Sequence, residues 1–124
     1  MNYLLRLPAA GGMERIAVPE SGVTPEQLAA LLGTDVTERM RLQEMPDAFS
    51  GRFALCYFID ARGGEKSLPV NFAGTCFYHT GCPIHGDLLL ASCGADSAGT
   101  DASGFSEAEC ETLAAWVSAQ FPVF

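Results

Sequence analysis

Cysteine and histidine alternate along one stretch of this chain as Cys76, His79, Cys82 and His85, each three residues from the next. Thiolate sulfur and imidazole nitrogen are the donors that zinc prefers, and four of them complete a tetrahedral structural site. A zinc finger sets two close pairs apart by a longer segment, and the even spacing here departs from that pattern. Along a straight strand, residues three apart point to opposite faces. Cys76 and Cys82 would then face away from His79 and His85 unless the chain folds over at Gly81, Cys82 and Pro83. The spacing therefore favours buried thiols and turn histidines, with no stoichiometric metal and no cofactor, over a small metal-binding protein.

Cys82 is also the nucleophile of a second reading, a cysteine-dependent enzyme. His79 or His85 would draw off its proton and Asp87 would orient the imidazole. Residue types alone carry that reading, and the geometry of base, thiol and oxyanion donors is needed to support it. Glu107, Glu109 and Glu111 gather at the start of a helix, where the macrodipole accounts for carboxylates without catalysis. The chain contains no GxGxxG, P-loop, HExxH or GxSxG pattern.

The elements that must position these residues are legible from period and punctuation. Residues 2–7 and 13–18 are short apolar runs with Gly11 and Gly12 between them, which predicts a β-hairpin. Thr24, Pro25 and Gln27 form the start of a helix over residues 25–32: a capping hydroxyl, a proline at the first turn and a capping-box partner. Val23 and Leu28 stand where a hydrophobic staple closes, Gly33 ends the helix, and Leu28, Leu31 and Leu32 face a core. From Val36 to Leu42 the period becomes two, with Val36, Met40 and Leu42 opposite Thr37, Arg39 and Arg41. A helix over residues 38–45 is the competing assignment.

Residues 53–59, FALCYFI, are apolar on both faces and belong inside a sheet. A turn at residues 61–64 follows. Residues 66–78 read as a long strand bent near Pro69 or Gly74, and residues 87–92 as a shorter one. Residues 94–104, GADSAGTDASG, are small and polar without periodicity, hence a linker or mobile loop. Ser106 and Glu109 then cap a second helix whose stripe is Cys110, Leu113, Ala114, Val117 and Phe121. Phe105 is its staple, Trp116 lies at the core edge and Pro122 stops it. The sum is one α+β domain over residues 1–124: a bent, mainly antiparallel sheet of five to seven strands, a partly open barrel in one version, flanked by two helices. Both apolar stripes are expected on one face of that sheet.

Composition limits the functions open to such a domain. With 48% hydrophobic residues the chain can offset the entropy of ordering, so it is expected to fold without staples. Its net charge of −8, from 15 acidic and 7 basic residues, repels phosphates, which argues against nucleic acid as a partner. The acidity serves solubility first and a basic protein partner second. No apolar run reaches the roughly 18 residues of a membrane span, and residues 1–12 lack the pattern of a signal peptide. Five cysteines without an export signal are then expected to stay reduced in a cytoplasmic setting, the odd number leaving at least one unpaired in any case.

Leu68, Pro69, Val70 and Asn71, then Ala73 to Thr75, then Ile84, His85, Gly86 and Asp87 leading into three leucines, carry a resemblance. Their order is similar to that of a small uncharacterised domain family of phages, mobile elements and gut bacteria. Val18-Pro19 with its helix, and the Phe105-Ser106 helix start, fall in a similar order, so the resemblance covers most of the chain. It implies a small cytoplasmic α+β protein, often carried on mobile elements, and it demands neither Cys nor His at positions 76, 79, 82 and 85. Asn71, Gly86 and Asp87 carry over. Gly86 is expected in a positive-φ turn, and Asn71 and Asp87 are expected to bond nearby backbone in preference to a ligand. Together these point to a non-enzymatic accessory or interaction protein that binds a protein or a small molecule.

Overall fold

Alternating apolar residues on strands that are buried on both sides require cover on both sides, and the chain supplies one helix for each. The computed structural model describes residues 2–42, 45–49, 54–71, 75, 83–93 and 102–120. Strands β1 (Asn2–Leu7) and β2 (Glu14–Val18) form the expected antiparallel hairpin. Helix α1 (Pro25–Leu32) carries the complete capping box of Thr24 and Gln27 and closes on Gly33 in the left-handed conformation. Strand β3 (Thr37–Arg41) takes the alternating pattern, so the helical alternative over residues 38–45 does not hold. Met40 and Leu42 pack on the core while Arg39 and Arg41 stay exposed. A single 3-10 turn, Asp47–Phe49, precedes β4 (Ala54–Asp60).

The short strands β5 (Val70–Asn71) and β6 (Ile84–His85) pair only with each other, as a two-stranded sheet. Strand β7 (Leu88–Cys93) is followed by β8 (Ala102–Ser103) and by helix α2 (Glu107–Gln120). The main sheet runs β2-β1-β7-β4-β3 with β8 added beside β7, all pairs antiparallel, and it is open, not closed into a barrel. Among the described residues the main sheet has six strands, within the five to seven read from the sequence, and the β5–β6 pair stands apart from it.

Side chains on successive residues of the central strands fall into two separate cores. Leu5, Leu7, Leu55, Tyr57, Ile59, Leu88 and Leu90 point to one face, where Cys110, Leu113 and Val117 of α2 cover them. Leu4, Cys56, Phe58, Leu89 and Ala91 point to the other face, where Leu28 of α1 lies, with Leu31 and Leu32 packed at its margin. The expectation that both helices share one face is therefore corrected: the sheet is the middle of three layers. Leucine at 88, 89 and 90 in β7 already carries the reason, because a strand apolar on both faces needs two covers.

Three further expectations change. Residues 61–67 form one continuous turn, so the strand placed at residues 66–78 begins only at Val70. Ala102 and Ser103 are a strand and not part of a loop: Ala102 is buried, opposite Cys93, and its carbonyl accepts the N–H of Val23 at 2.8 Å. Cys56 and Cys93 are joined by a disulfide, where reduced thiols were expected. The antiparallel register sets Cys56 opposite Ala91 and Ala54 opposite Cys93, so the two cysteines are diagonal neighbours on one face, with Cα atoms 6.0 Å apart. Thirty-seven positions of sequence separate them, and nothing local to either residue announces the register that brings them together.

Candidate functional site

The segments around Asn71 and His85 meet in the small β5–β6 sheet, with Val70 opposite His85 and Asn71 opposite Ile84. Asn71 is 1% exposed, and its side-chain amide donates to Leu7 O at 2.8 Å and to Gly86 O at 2.9 Å. Those two bonds use both amide hydrogens on the chain's own backbone. Thr75 closes the far end of the same unit. Its hydroxyl donates to Asn71 O at 2.8 Å and accepts from the Ile84 N–H at 3.0 Å.

Gly86 follows with φ +88, as its sequence context predicts, and its N–H reaches Pro69 O at 2.7 Å. A side chain there would be strained by the backbone angle, and a carbon at the Cβ position would also stand 3.0 Å from Leu68 Cδ1. Asp87 is half-exposed. Its Oδ1 accepts the Ala9 N–H at 3.0 Å, and its Oδ2 faces Arg6 Nε at 4.0 Å. Asn71 and Asp87 thus grip the same piece of chain, residues 7–9, where β1 turns toward β2.

His85 is half-buried, with Nδ1 2.7 Å from Leu68 O. A carbonyl oxygen only accepts, so Nδ1 is the donor of this bond. The chain at Gly63 passes so close that a Cβ there would lie 2.6 Å from His85 O. Cys76, His79 and Cys82 lie outside the described residues, so of the four metal-type residues only His85 is placed. No group of three metal-capable side chains occurs among the described residues.

Two polar centres escaped the sequence reading. Asp60 ends β4 with its side chain buried. Its Oδ1 accepts the Thr34 hydroxyl at 2.8 Å and the Arg62 N–H at 2.9 Å, and its Oδ2 pairs with Lys66 Nζ at 2.7 Å. Burial pushes this carboxyl up, yet the bonds from Lys66, Arg62 and Thr34 together outweigh it and hold the group below the ordinary aspartate value. An aspartate closing an apolar strand just before a turn is a signal for such a cap.

Arg6 is the second centre, a charged residue inside an alternating strand. Its guanidinium donates to Leu31 O in the last turn of α1 and stands 3.7 Å from Glu14 Oε2. Helix α1 has no basic residue in its own last turn, and Arg6 supplies from β1 the cation that the carbonyl end of a helix favours.

A hollow of about 470 Å³ opens between the β2–α1 turn and β8, lined by Pro19, Ser21, Thr24, Gln27, Ala102 and Ser103. Asn71, His85 and Asp87 are not among its lining residues. The capping atoms of Thr24 and Gln27 are bonded to each other's backbone. Comparison with family models, with curated proteins and with solved structures found no match. What the fold and the geometry define is an open antiparallel α+β sheet with a helix on each face, whose motif residues bond the chain to itself. No described helix is long and apolar enough to cross a membrane.

Proposed function

We propose that this chain is a non-enzymatic accessory or interaction protein of the phage and mobile-element kind that its motif order resembles, acting in the cytoplasm on a protein or small-molecule partner. One observation carries the reading. Asn71 and Asp87, the polar residues that recur in the resemblance, spend their hydrogen bonds on residues 7–9 and on Gly86. Side chains held in this way position the β5–β6 unit against the first hairpin. The excess of 15 acidic over 7 basic residues supports a partner other than nucleic acid.

Asn71→Ala is the first test. It leaves the carbonyls of Leu7 and Gly86 without their donor in a dry site, and it is expected to lower stability by about 2–3 kcal/mol in a urea titration. A change under about 0.5 kcal/mol, within the range of ordinary surface substitutions, would return Asn71 to the role of a ligand-binding residue. The enzyme and metal readings have their own measurements. Cys82 is expected to react with iodoacetamide no faster than the same peptide in the denatured chain, and chelator-stripped protein is expected to melt as the untreated protein does. A hyper-reactive Cys82, or one equivalent of zinc whose removal abolishes most of the stability, would replace this proposal.

A further inference from the structure

We infer that the Cys56–Cys93 bond is a reversible latch, set by a small-thiol couple of the glutathione type, that controls how firmly β4, β7 and β8 are held to the start of α1. The inference is independent of the function proposed above. Its first ground is position. Cys56 and Cys93 tie the neighbouring strands β4 and β7, and Cys93 pairs on its other side with Ala102 of β8. A cross-link there holds three adjacent strands in register at once.

The second ground is connectivity. Ala102 O accepts the Val23 N–H, the backbone at Gly22 packs against that same carbonyl, and Thr24 next along the chain caps α1. Val23, Ala102, Leu28, Cys56 and Cys93 share one buried cluster. Loosening Cys93 therefore loosens the wall of the hollow between the β2–α1 turn and β8.

The third ground is that both redox states can fold. The β4–β7 register runs from Ala54–Cys93 to Phe58–Leu89, and the core beneath α2 contains neither sulfur of the bond. The seam persists when the bond opens, and the two thiols stay side by side, ready to close again. Cys110 lies in the core on the opposite face of the sheet, which separates it from the bond.

The chemistry balances with the couple alone. A thiolate RS⁻ attacks Cys93 Sγ, and the Cys56 sulfur leaves as thiolate and takes up the proton given up by RSH. A second RS⁻ attacks the R sulfur of the mixed disulfide, releasing Cys93 as thiolate, which is protonated in turn. One disulfide and two RSH become two protein thiols and RSSR, a transfer of two electrons and two protons.

The test equilibrates the intact protein in buffers of reduced and oxidised glutathione, quenches with an alkylating agent and maps the label by peptide mass. Backbone amide exchange is followed at both extremes. Cys56 and Cys93 are expected to become labelled together, from about one-tenth to about nine-tenths over a hundredfold change in the ratio of squared thiol to disulfide. On reduction, exchange at the Val23 amide is expected to quicken at least about tenfold, while the amides of Cys110 and Leu113 in α2 change less than about twofold. The C56S/C93S variant is expected to match the reduced protein at both sites. A pair that stays unlabelled at every glutathione ratio is a permanent staple and overturns the latch. So does a reduced protein whose Val23 amide exchanges as the oxidised one does, or one in which α2 opens equally.

Discussion

The two faces of the sheet are closed by different means. Under α2, a 14-residue helix, the contacts are hydrocarbon: Cys110, Leu113 and Val117 are fully buried against Leu5, Tyr57, Leu88 and Leu90, and the ion pair of Arg15 with Glu107 lies out in solvent. Under α1, an 8-residue helix, Leu28 is the single buried helical residue. Three ties gather around it instead. The Cys56–Cys93 bond lies beneath it, Arg6 reaches its last-turn carbonyl at Leu31, and Thr34 just beyond its end donates to Asp60. A short helix buries too little area to be held by the hydrophobic effect alone, and specific cross-links make up the difference.

The largest expected effect separates the faces directly. Leu113→Ala should cost about 3–5 kcal/mol, whereas Leu28→Ala, the one buried residue of a shorter helix, should cost about 2–3 kcal/mol. Urea titrations of the two variants measure both, and a Leu28 loss equal to or above the Leu113 loss breaks the comparison. Next in size is Arg6→Met, which keeps the apolar stem and removes the cation. It should cost about 1–2 kcal/mol and should speed amide exchange in the last turn of α1, leaving α2 unchanged. Equal effects on both helices would mean that Arg6 acts through the sheet as a whole.

The smallest effect is the acid dependence of Asp60. Its folded carboxyl titrates below the unfolded value, so its contribution is present above about pH 4 and is lost as the pH falls through the folded value. Lys66 is partly exposed, so solvent weakens the pair and this share should stay at or below about 1 kcal/mol. Denaturant midpoints between pH 7 and pH 3 should fall more steeply for the wild type than for Asp60→Asn. Parallel curves would remove Asp60 from the ties that hold the α1 side.

How much of this was readable in advance depended on reach along the chain. Thr24 with Gln27, and Ser106 with Glu109, form their capping boxes over three residues, and both were legible. Gly86 was legible as a positive-φ position, and the bonds of Asn71 and Asp87 to backbone were expected in kind. Their partners were not: Asn71 donates to Leu7, 64 positions away, and Asp87 accepts from Ala9, 78 positions away. Of the Cys/His quartet, His85 alone falls among the described residues, and its Nδ1 is bonded to Leu68 O.

The sequence by itself determined the caps, the periods, the turns and therefore most of the elements, because each of those is set by steric and hydrogen-bonding contacts among residues a few positions apart. Only the tertiary structure decided that α1 and α2 lie on opposite faces, that Cys56 meets Cys93, and that Arg6 caps a helix it does not belong to. Each of these depends on strand order and register. A one-residue slip of β4 against β7 would part the sulfurs and turn Phe58 from one core toward the other, and no local preference at either strand fixes that alignment. The burial of both faces at once fixes it.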